Sequence, residues 1–218
     1  MDAYTNEMAS LLSPPSVWSC TEILSKDCPV PRQPGVYAWF FKKIPPQVPV
    51  DGCRLLDNMT LLYVGISPKE PPRIGSGPSK QTLRSRLQYH YRGNAEGSTL
   101  RLTLGCLLAE RLGIQLRRVG SGKRMTFTIR GEEKLSAWME VNAFVNWVVV
   151  DEPWKLEDHL IRTLSLPLNL QDNGKHPFYP VLTEIRRRAK ERARQMPIKA
   201  QSITSKRRPN RSLIPVFH

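Results

Sequence analysis

The sequence predicts an α/β (α+β) domain in which a small, mainly antiparallel central sheet of three strands is flanked by helices. Three apolar runs rich in aromatic and β-branched residues predict the strands, at 35–42 (GVYAWFFK), 61–66 (LLYVGI) and 146–150 (NWVVV). Leucine and tyrosine recur every four residues after Thr82, which is the spacing of one helix face. The 218 residues suffice for one packed domain with extensions.

The N-terminal part of the chain is predicted to lead into a pair of strands. Residues 1–33 contain four prolines among scattered apolar residues, which favours an irregular segment packed on the domain. Strand 35–42 follows a Pro-Gly turn signal, and the proline-rich stretch 43–60 has the composition of a loop. Strand 61–66 follows, and the two strands most simply pair antiparallel. Residues 67–80 are rich in turn-forming residues.

Helices are predicted to dominate the middle of the chain. One begins at Thr82 and ends at Gly93 or Gly97, and another covers about 99–112 and stops at Gly113. The elements predicted after these are a hairpin of 116–119 and 123–129, a helix over 132–142, the strand 146–150, and a helix that starts at Asp151 and Pro153 and runs through Leu164.

Positive charge is concentrated at the C-terminal end. The chain has 33 Lys and Arg against 19 Asp and Glu, a net charge of +14. Residues 181–218 hold 11 of the basic residues and 2 of the acidic ones, which is +9 of that total. The sequence therefore predicts a basic helix over 182–196 and a flexible basic tail from Pro197. This divides the chain into a lead-in of 1–33, a domain of 34–180 and a basic segment of 181–218.

A charge of this size favours polyanionic partners, namely DNA, RNA or an acidic membrane surface. A merely soluble basic surface is the alternative. The start of the chain lacks a basic segment followed by a long apolar run, and no apolar run approaches the length of a bilayer span, so neither a signal peptide nor a membrane span is expected. No two of the four cysteines form a CxxC pair. This disfavours a zinc site and favours reduced thiols in a cytoplasmic protein.

Glu157 is a candidate metal ligand. Phosphodiester hydrolysis needs a hard cation on the phosphate oxygens, a group that orients water, and positive charge that offsets the transition state. Mg²⁺ often takes only one or two protein carboxylates, so one well-placed acid can suffice. Glu157 lies beside the buried stripe that Leu156, Leu160 and Leu164 mark on their predicted helix. The alternative is a boundary glutamate whose carboxylate lies in water.

Arg86 and His90 are candidates for contact with phosphate. They are four residues apart on the helix that begins at Thr82, and therefore share a face. The planar guanidinium of arginine can donate two hydrogen bonds to a pair of phosphate oxygens. A solvated basic face is the alternative, because Arg84 and Arg92 lie on the same helix.

These positions together resemble the GIY-YIG nuclease superfamily. Its paired signature corresponds to Gly35-Val36-Tyr37 followed by Tyr63-Val64-Gly65. The family's catalytic arginine follows in a Leu-x-x-Arg-Leu setting, as Arg86 does. Its metal-binding glutamate lies on a later helix with an asparagine twelve residues on, which is the separation of Glu157 and Asn169. The resemblance covers about residues 34–178 and includes His90, in the manner of the family's restriction enzymes.

The resemblance implies an endonuclease that depends on a divalent metal, Mg²⁺ or Mn²⁺, and leaves a 5′-phosphate and a 3′-hydroxyl. Tyr63 would accept or relay the proton of the attacking water, and Tyr37 would pack beside it and bond the phosphate or the water. Glu157 would be the only protein ligand of the metal. The other roles implied are charge compensation by Arg86, assistance to Tyr63 or the phosphate by His90, and bracing of the site by Asn169.

The chain departs from the family pattern in three places. The linker that contains 43–60 is much longer than in compact members, Ile66 stands where many members have lysine, and 97–143 is an insertion relative to a minimal domain. Within that insertion Lys123 and Arg124 could contact phosphate, although a plain hairpin turn is the favoured interpretation. The further nucleic-acid contacts that we expect are Arg84 and, in the basic helix, Arg186, Arg187 and Arg188.

DNA is the expected substrate, with RNA as the alternative that charge cannot separate from it. The competing function is a non-catalytic nucleic-acid-binding protein that retains the nuclease fold. No membrane partner is expected. A homodimer would suit double-strand cleavage, but the sequence leaves the oligomeric state open.

Overall fold

The computed structural model describes residues 4–71 and 79–199. The strands that it contains are β1 (Gly35–Phe41), β2 (Leu55–Leu56), β3 (Met59–Ser67), β4 (Arg117–Val119), β5 (Arg124–Thr126) and β6 (Ala143–Val149). Four of them form an antiparallel sheet in the order β2-β3-β1-β6, and β4 pairs with β5 in a separate hairpin. The predicted α/β class and antiparallel sheet are confirmed. The sheet has a fourth strand because β2, in the predicted loop, pairs with the start of β3.

The helices in the described residues are α1 (Thr5–Leu12), α2 (Cys20–Ile23), α3 (Leu83–Arg92), α4 (Thr99–Leu107), α5 (Ala109–Leu112), α6 (Thr128–Asn142), α7 (Pro153–Thr163) and α8 (Tyr179–Gln195). Local sequence explains the boundaries that matter for the site. Thr82 caps α3 through reciprocal hydrogen bonds with Ser85, and Pro153 occupies the first turn of α7. No helix in these two ranges is long and apolar enough to cross a membrane.

Helices cover both faces of the four-stranded sheet. Along β1, Val36, Ala38 and Phe40 pack with residues of α1 and α7, whereas Tyr37 and Trp39 point to the opposite face and pack with the larger helical layer. Because successive side chains of a strand alternate between faces, a strand buried on both sides is apolar throughout. This explains why the sequence of β1 is a continuous apolar run.

A β-bulge in β3 sets the direction of Tyr63. Trp39 pairs with Tyr63 and the next residue of β1 pairs with Leu61, so Leu62 is an extra residue in β3. Without it, strict alternation would place Tyr63 on the same face as Leu61, against α7. The bulge reverses the alternation and turns Tyr63 to the face that also carries Tyr37.

Two expectations about single elements were wrong. The lead-in 1–33 is not irregular, because it contains α1 and α2, and a capping box of Ser19 and Glu22 starts α2. The helix predicted over 99–112 is divided into α4 and α5 at Leu108. The basic helix predicted over 182–196 is present as α8, and two of its residues, Leu182 and Ala193, are fully buried in the larger core. Most of the predicted basic tail, and residues 72–78 of the turn-rich stretch, lie outside the described residues.

Arg101 joins the insertion 97–143 to α3 and also forms a buried ion pair within the insertion. Arg101 of α4 is completely buried and donates hydrogen bonds to the carboxylate of Glu132 of α6 at 2.7 and 3.0 Å. Arg101 also donates to the carbonyl oxygens of His90 and Tyr91 at the end of α3. The insertion is therefore attached to the helix that carries Arg86.

Candidate active site

A cleft of about 580 Å³ opens beside the end of β3 that β2 does not cover. The structure brings five of the six candidate catalytic residues to its lining, and these are Tyr37, Tyr63, Arg86, Glu157 and Asn169. The sixth, His90, lies behind the lining with none of its surface exposed. Residues from two strands, two helices and a loop thus meet at one place.

Tyr37 is held in a chain of hydrogen bonds. Its hydroxyl is 2.8 Å from Nε2 of His90 and accepts a longer bond of 3.4 Å from Nε of Arg86. The other ring nitrogen of His90 is 2.8 Å from the hydroxyl of Ser98, the residue that caps α4. Arg86 is oriented in turn by the carbonyl oxygen of Gly97, to which its Nη1 donates at 2.8 Å.

In the structure His90 contacts the hydroxyl groups of Tyr37 and Ser98, and it does not reach the cleft surface. Burial lowers the pKa of His90 well below its usual value, and the charges of Arg86 and Arg101 lower it further. The ring is therefore neutral and sits between two hydroxyl groups. It can fix the orientation of Tyr37 but cannot supply positive charge to the cleft.

The glycines of the two triplets are explained by close packing. A Cβ on Gly65 would lie 2.6 Å from the hydroxyl oxygen of Tyr37, so the aromatic ring of Tyr37 occupies the place of a side chain. A Cβ on Gly35 would collide with the backbone carbonyl of Val148 on the neighbouring strand. Each triplet therefore combines a tyrosine with a position where no side chain fits.

Both tyrosines are protonated in the protein without metal. Burial raises the pKa of Tyr37 to about 12. The pKa of Tyr63 is raised further still, first by burial and then by Tyr37 and Glu157, while Arg86 and Arg186 act in the opposite direction. A proton can leave Tyr63 near neutral pH only if more positive charge is brought to the cleft.

Glu157 projects into the cleft from α7 with its carboxylate only partly exposed. Within the described residues it makes no hydrogen bond and no ion pair. Burial raises its pKa to about 7, and the nearby negative charge of Asp172 contributes to the increase, whereas Lys69 and Arg86 oppose it. A carboxylate in these surroundings favours the arrival of a cation.

The donor set fits a magnesium-like ion better than a transition metal. In residues 4–71 and 79–199 no group of three or more His, Cys, Asp and Glu could hold a metal ion. Mg²⁺ does not need such a group, because it binds through one or two carboxylates and completes its shell with water and phosphate oxygens. Glu157 would be the ligand, and two further acids that line the same cleft, Asp172 and Asp158, influence its pKa, Asp172 more strongly.

Asn169 braces the edge of β3 next to Tyr63. Its side-chain oxygen accepts from the backbone N–H of Val64 at 3.0 Å, and its side-chain nitrogen donates to the carbonyl oxygen of Val64 at 2.9 Å. The backbone N–H of Leu168 donates to the carbonyl oxygen of Leu62. The loop after α7 thus satisfies the polar groups that a neighbouring strand would otherwise pair.

The predicted nucleic-acid contacts divide into two groups. Arg84 donates to the carbonyl oxygens of Val30 and Cys28 at 2.6 and 3.1 Å, so its guanidinium fastens the lead-in to α3. Arg186 lies near Tyr63, is partly buried and donates to Thr103 at 3.4 Å. Arg84 and Arg186, both partly buried, form the first group. The second group consists of exposed residues, namely Lys123, Arg124, Arg187 and Arg188. Arg187 and Arg188 are paired with Glu184 within α8.

Several cleft residues were missed at the level of sequence. Trp154 lies three positions before Glu157 on α7, and Asp172 lies three positions after Asn169 in the loop. Asp172 adopts a positive φ of 60°, a left-handed conformation that aspartate tolerates better than most residues. In the sequence, both residues could have been found from their spacing to a predicted site residue. Lys69 also lines the cleft, and nothing in its local sequence distinguishes it.

Comparison with known proteins agrees with this geometry. The GIY-YIG catalytic domain family matches the chain over residues 35–188, a range that includes all the strands, α3 and α7. No curated protein and no solved structure matches the chain. Since the family match spans more than half of the sequence, the chain belongs to the GIY-YIG catalytic domain family, whose members are generally endonucleases.

Proposed function

We propose that this protein is an endonuclease that hydrolyses phosphodiester bonds in DNA and depends on a divalent metal, Mg²⁺ or Mn²⁺. The observation that carries the proposal is the convergence of Glu157, Tyr63 and Arg86 on one cleft, with a carboxylate that has no partner among the described residues. These three side chains are the cation ligand, the proton acceptor and the positive charge that the reaction requires.

Each residue has a distinct task in the proposed reaction. Arg86 donates hydrogen bonds to the phosphate, where its charge offsets the negative charge that gathers in the transition state. Tyr63 accepts or relays the proton of the attacking water, and Tyr37, held by His90, binds the water or a phosphate oxygen. A metal bound at Glu157 would polarise the phosphate and lower the pKa of Tyr63. Asn169 keeps β3 in place beneath Tyr63.

The surroundings of the site support a polyanionic substrate in a reducing compartment. The net charge of +14 favours nucleic acid, and its concentration in residues 181–218 provides sequence-independent affinity for phosphates. The four cysteines Cys20, Cys28, Cys53 and Cys106 are all free thiols. This supports a cytoplasmic location, since disulfides are rare there.

A plasmid-nicking assay with Mg²⁺ or Mn²⁺ tests the proposal. Wild type should nick the plasmid and lose this activity in EDTA, and Glu157→Gln should reduce the rate at least about 100-fold. Glu133→Gln is the matched control, because it removes the same charge from an exposed position of α6 outside the cleft. Binding without cleavage by wild type would favour the non-catalytic alternative. Equal rates for wild type and Glu157→Gln would exclude this mechanism.

A further inference from the structure

The cleft is larger than a phosphate, a water and a metal ion need, and part of its lining is apolar. The volume of the cleft is about 580 Å³, and the candidate catalytic side chains form only part of its lining. The remaining lining includes four hydrophobic side chains, which we call the apolar wall, formed by Ile66, Trp154, Ile161 and Leu170. A site that only held phosphate would be expected to be lined by donors and cations.

Trp154 is the largest member of the apolar wall and lies close to the reaction. It precedes Glu157 by three residues on α7, so the two side chains are neighbours on one helix face, about 5–6 Å apart at their Cβ atoms. Its side chain is partly exposed. In the described part of the chain, Trp154 stacks on no other ring and its indole N–H has no hydrogen-bond partner.

The apolar wall also includes Ile66, which lies on β3, whereas Trp154 lies on α7. It follows the Tyr63-Val64-Gly65 triplet on β3, and its partly exposed side chain lines the cleft. The side chain that follows Gly65 into the cleft lining is therefore apolar and uncharged. Such a side chain cannot donate a hydrogen bond to phosphate, but it can pack against a flat apolar group.

The flat group that accompanies every DNA phosphate is a nucleobase, which is joined to it through the sugar. Each phosphate in the cleft brings the bases of its two flanking nucleotides within one sugar of the site. Stacking of a base on an aromatic side chain stabilises binding by about 1–3 kcal/mol and tolerates any base. Two polar side chains that also line the cleft, Gln171 and Lys69, can contact the edge of a base or the next phosphate.

We propose that the apolar wall binds one unstacked nucleobase beside the scissile phosphate, with Trp154 as its stacking partner. This rests on the proposed nuclease function and names its substrate class. In an intact duplex the bases are stacked on one another, and turning one out costs a few kcal/mol. The preferred substrate is therefore DNA with an unpaired nucleotide at the cleavage point, as in a single strand, a flap or a bubble.

Binding measurements on Glu157→Gln separate this inference from catalysis. Fluorescence anisotropy would compare a labelled single-stranded oligonucleotide with its duplex, with Trp154 intact and with Trp154→Ala or Trp154→Phe. We expect Trp154→Ala to weaken single-strand binding by about 5- to 150-fold, the range equivalent to the stacking energy. Duplex binding should stay within about twofold of its original value, and Trp154→Phe should recover most of the loss. Trp18→Ala, in the loop before α2 and outside the cleft lining, should change neither.

A second experiment uses the wild-type protein and changes the substrate instead. Wild type would be given flap substrates that have either a normal nucleotide or an abasic residue at each side of the cleavage point. The inference requires one abasic position to slow cleavage and weaken binding by at least about fivefold, while abasic residues farther away have no effect.

Equal effects of Trp154→Ala on single strands and duplexes, or indifference to every abasic position, would overturn the inference even if the enzyme cleaves DNA. If wild type cleaves no substrate, the proposed function is wrong. The anisotropy measurements then still decide whether a nucleobase binds to the apolar wall.

Discussion

At the scale of single residues, the surroundings of Glu157 favour metal binding but lower the stability of the fold. Its carboxylate is partly buried and makes no ion pair in the described residues, and the charge of Asp172 adds to the effect of burial while Lys69 and Arg86 oppose it. Ionising a carboxylate in such a place costs free energy in the folded protein that the unfolded chain does not incur. The same feature that prepares Glu157 for a divalent cation therefore destabilises the metal-free fold.

This predicts that Glu157→Gln stabilises the metal-free protein while it removes activity. Because the pKa of Glu157 is raised from 4.5 to about 7, wild type loses stability as the pH rises between these values, and the full penalty applies above pH 7. Glutamine avoids it, so the variant should be more stable by about 1–3 kcal/mol at pH 8 and equal to wild type at pH 4.5. Urea denaturation in EDTA measures this. A difference that persists at pH 4.5 would exclude the electrostatic explanation.

Gly65 provides a second test at this scale. In Gly65→Ala the new methyl group would meet the hydroxyl of Tyr37, so the tyrosine must move and its bond to His90 must lengthen. We expect a loss of about 1–3 kcal/mol in the free energy of unfolding and a large fall in kcat. Gly174→Ala is the control, since nothing lies within 4 Å of a Cβ there. If both variants behave like wild type, Tyr37 is not held as tightly as the packing indicates.

At the scale of elements, the site depends on irregular features of regular structures. The bulge at Leu62 turns Tyr63 toward the face of Tyr37, and the loop after α7 binds the edge of β3 through Asn169. Helix α3 is fixed from behind by the insertion, because Arg101 binds the last carbonyl oxygens of α3. The insertion therefore supports the helix that carries Arg86, and its residue Thr99 also lines the cleft.

The ion pair between Arg101 and Glu132 should be essential for that support. Arg101→Met leaves a buried carboxylate without its cation, and Glu132→Gln leaves a buried guanidinium without its anion. Each change should lower the free energy of unfolding by about 3–5 kcal/mol, as measured by urea denaturation. Arg187→Met breaks an exposed pair on α8 and should leave stability unchanged. A loss for Arg101→Met as small as that for Arg187→Met would show that packing alone holds the insertion.

At the scale of the whole molecule, positive charge and structural stability share the C-terminal segment. Helix α8 carries basic residues on its exposed side, and it buries Leu182 and Ala193 in the larger core. Its end is fixed to the hairpin, because Arg117 and Arg118 donate to the carbonyl oxygens of Pro197 and Met196. Removal of all of 181–218 would therefore disturb the fold as well as the charge.

Two truncations separate these roles. A chain that ends at Lys199 loses Lys206, Arg207, Arg208 and Arg211 and no acidic residue. We expect its melting temperature to be unchanged. The slope of log binding constant against log salt concentration should fall by about 0.9 for each DNA phosphate that these side chains neutralise. A chain that ends at Pro180 should unfold far more easily because it lacks α8. An unchanged salt slope in the chain that ends at Lys199 would show that the tail does not bind DNA.

The regular elements were largely predictable, because their residues determine them locally. Apolar runs located β1, β3 and β6, and spacing together with capping residues located α3 and α7. The short helices of the lead-in were missed, since their apolar residues are scattered among prolines. The candidate site was found through order and separation along the chain. Trp154 and Asp172 were missed because a position in a cleft depends on which elements pack together, and no local pattern records that.

The sequence by itself determined the class of fold, the family and the order of the candidate catalytic residues, because strand and helix patterns and the motif spacings are written along the chain. Only the tertiary structure decided what surrounds each residue. It placed His90 behind Tyr37, assigned Arg84 to the lead-in, left Glu157 without a partner in the described residues and set Trp154 beside it. The physical reason is that burial, pKa and ligand contact depend on groups far apart in sequence, which meet only when the helices pack on the sheet.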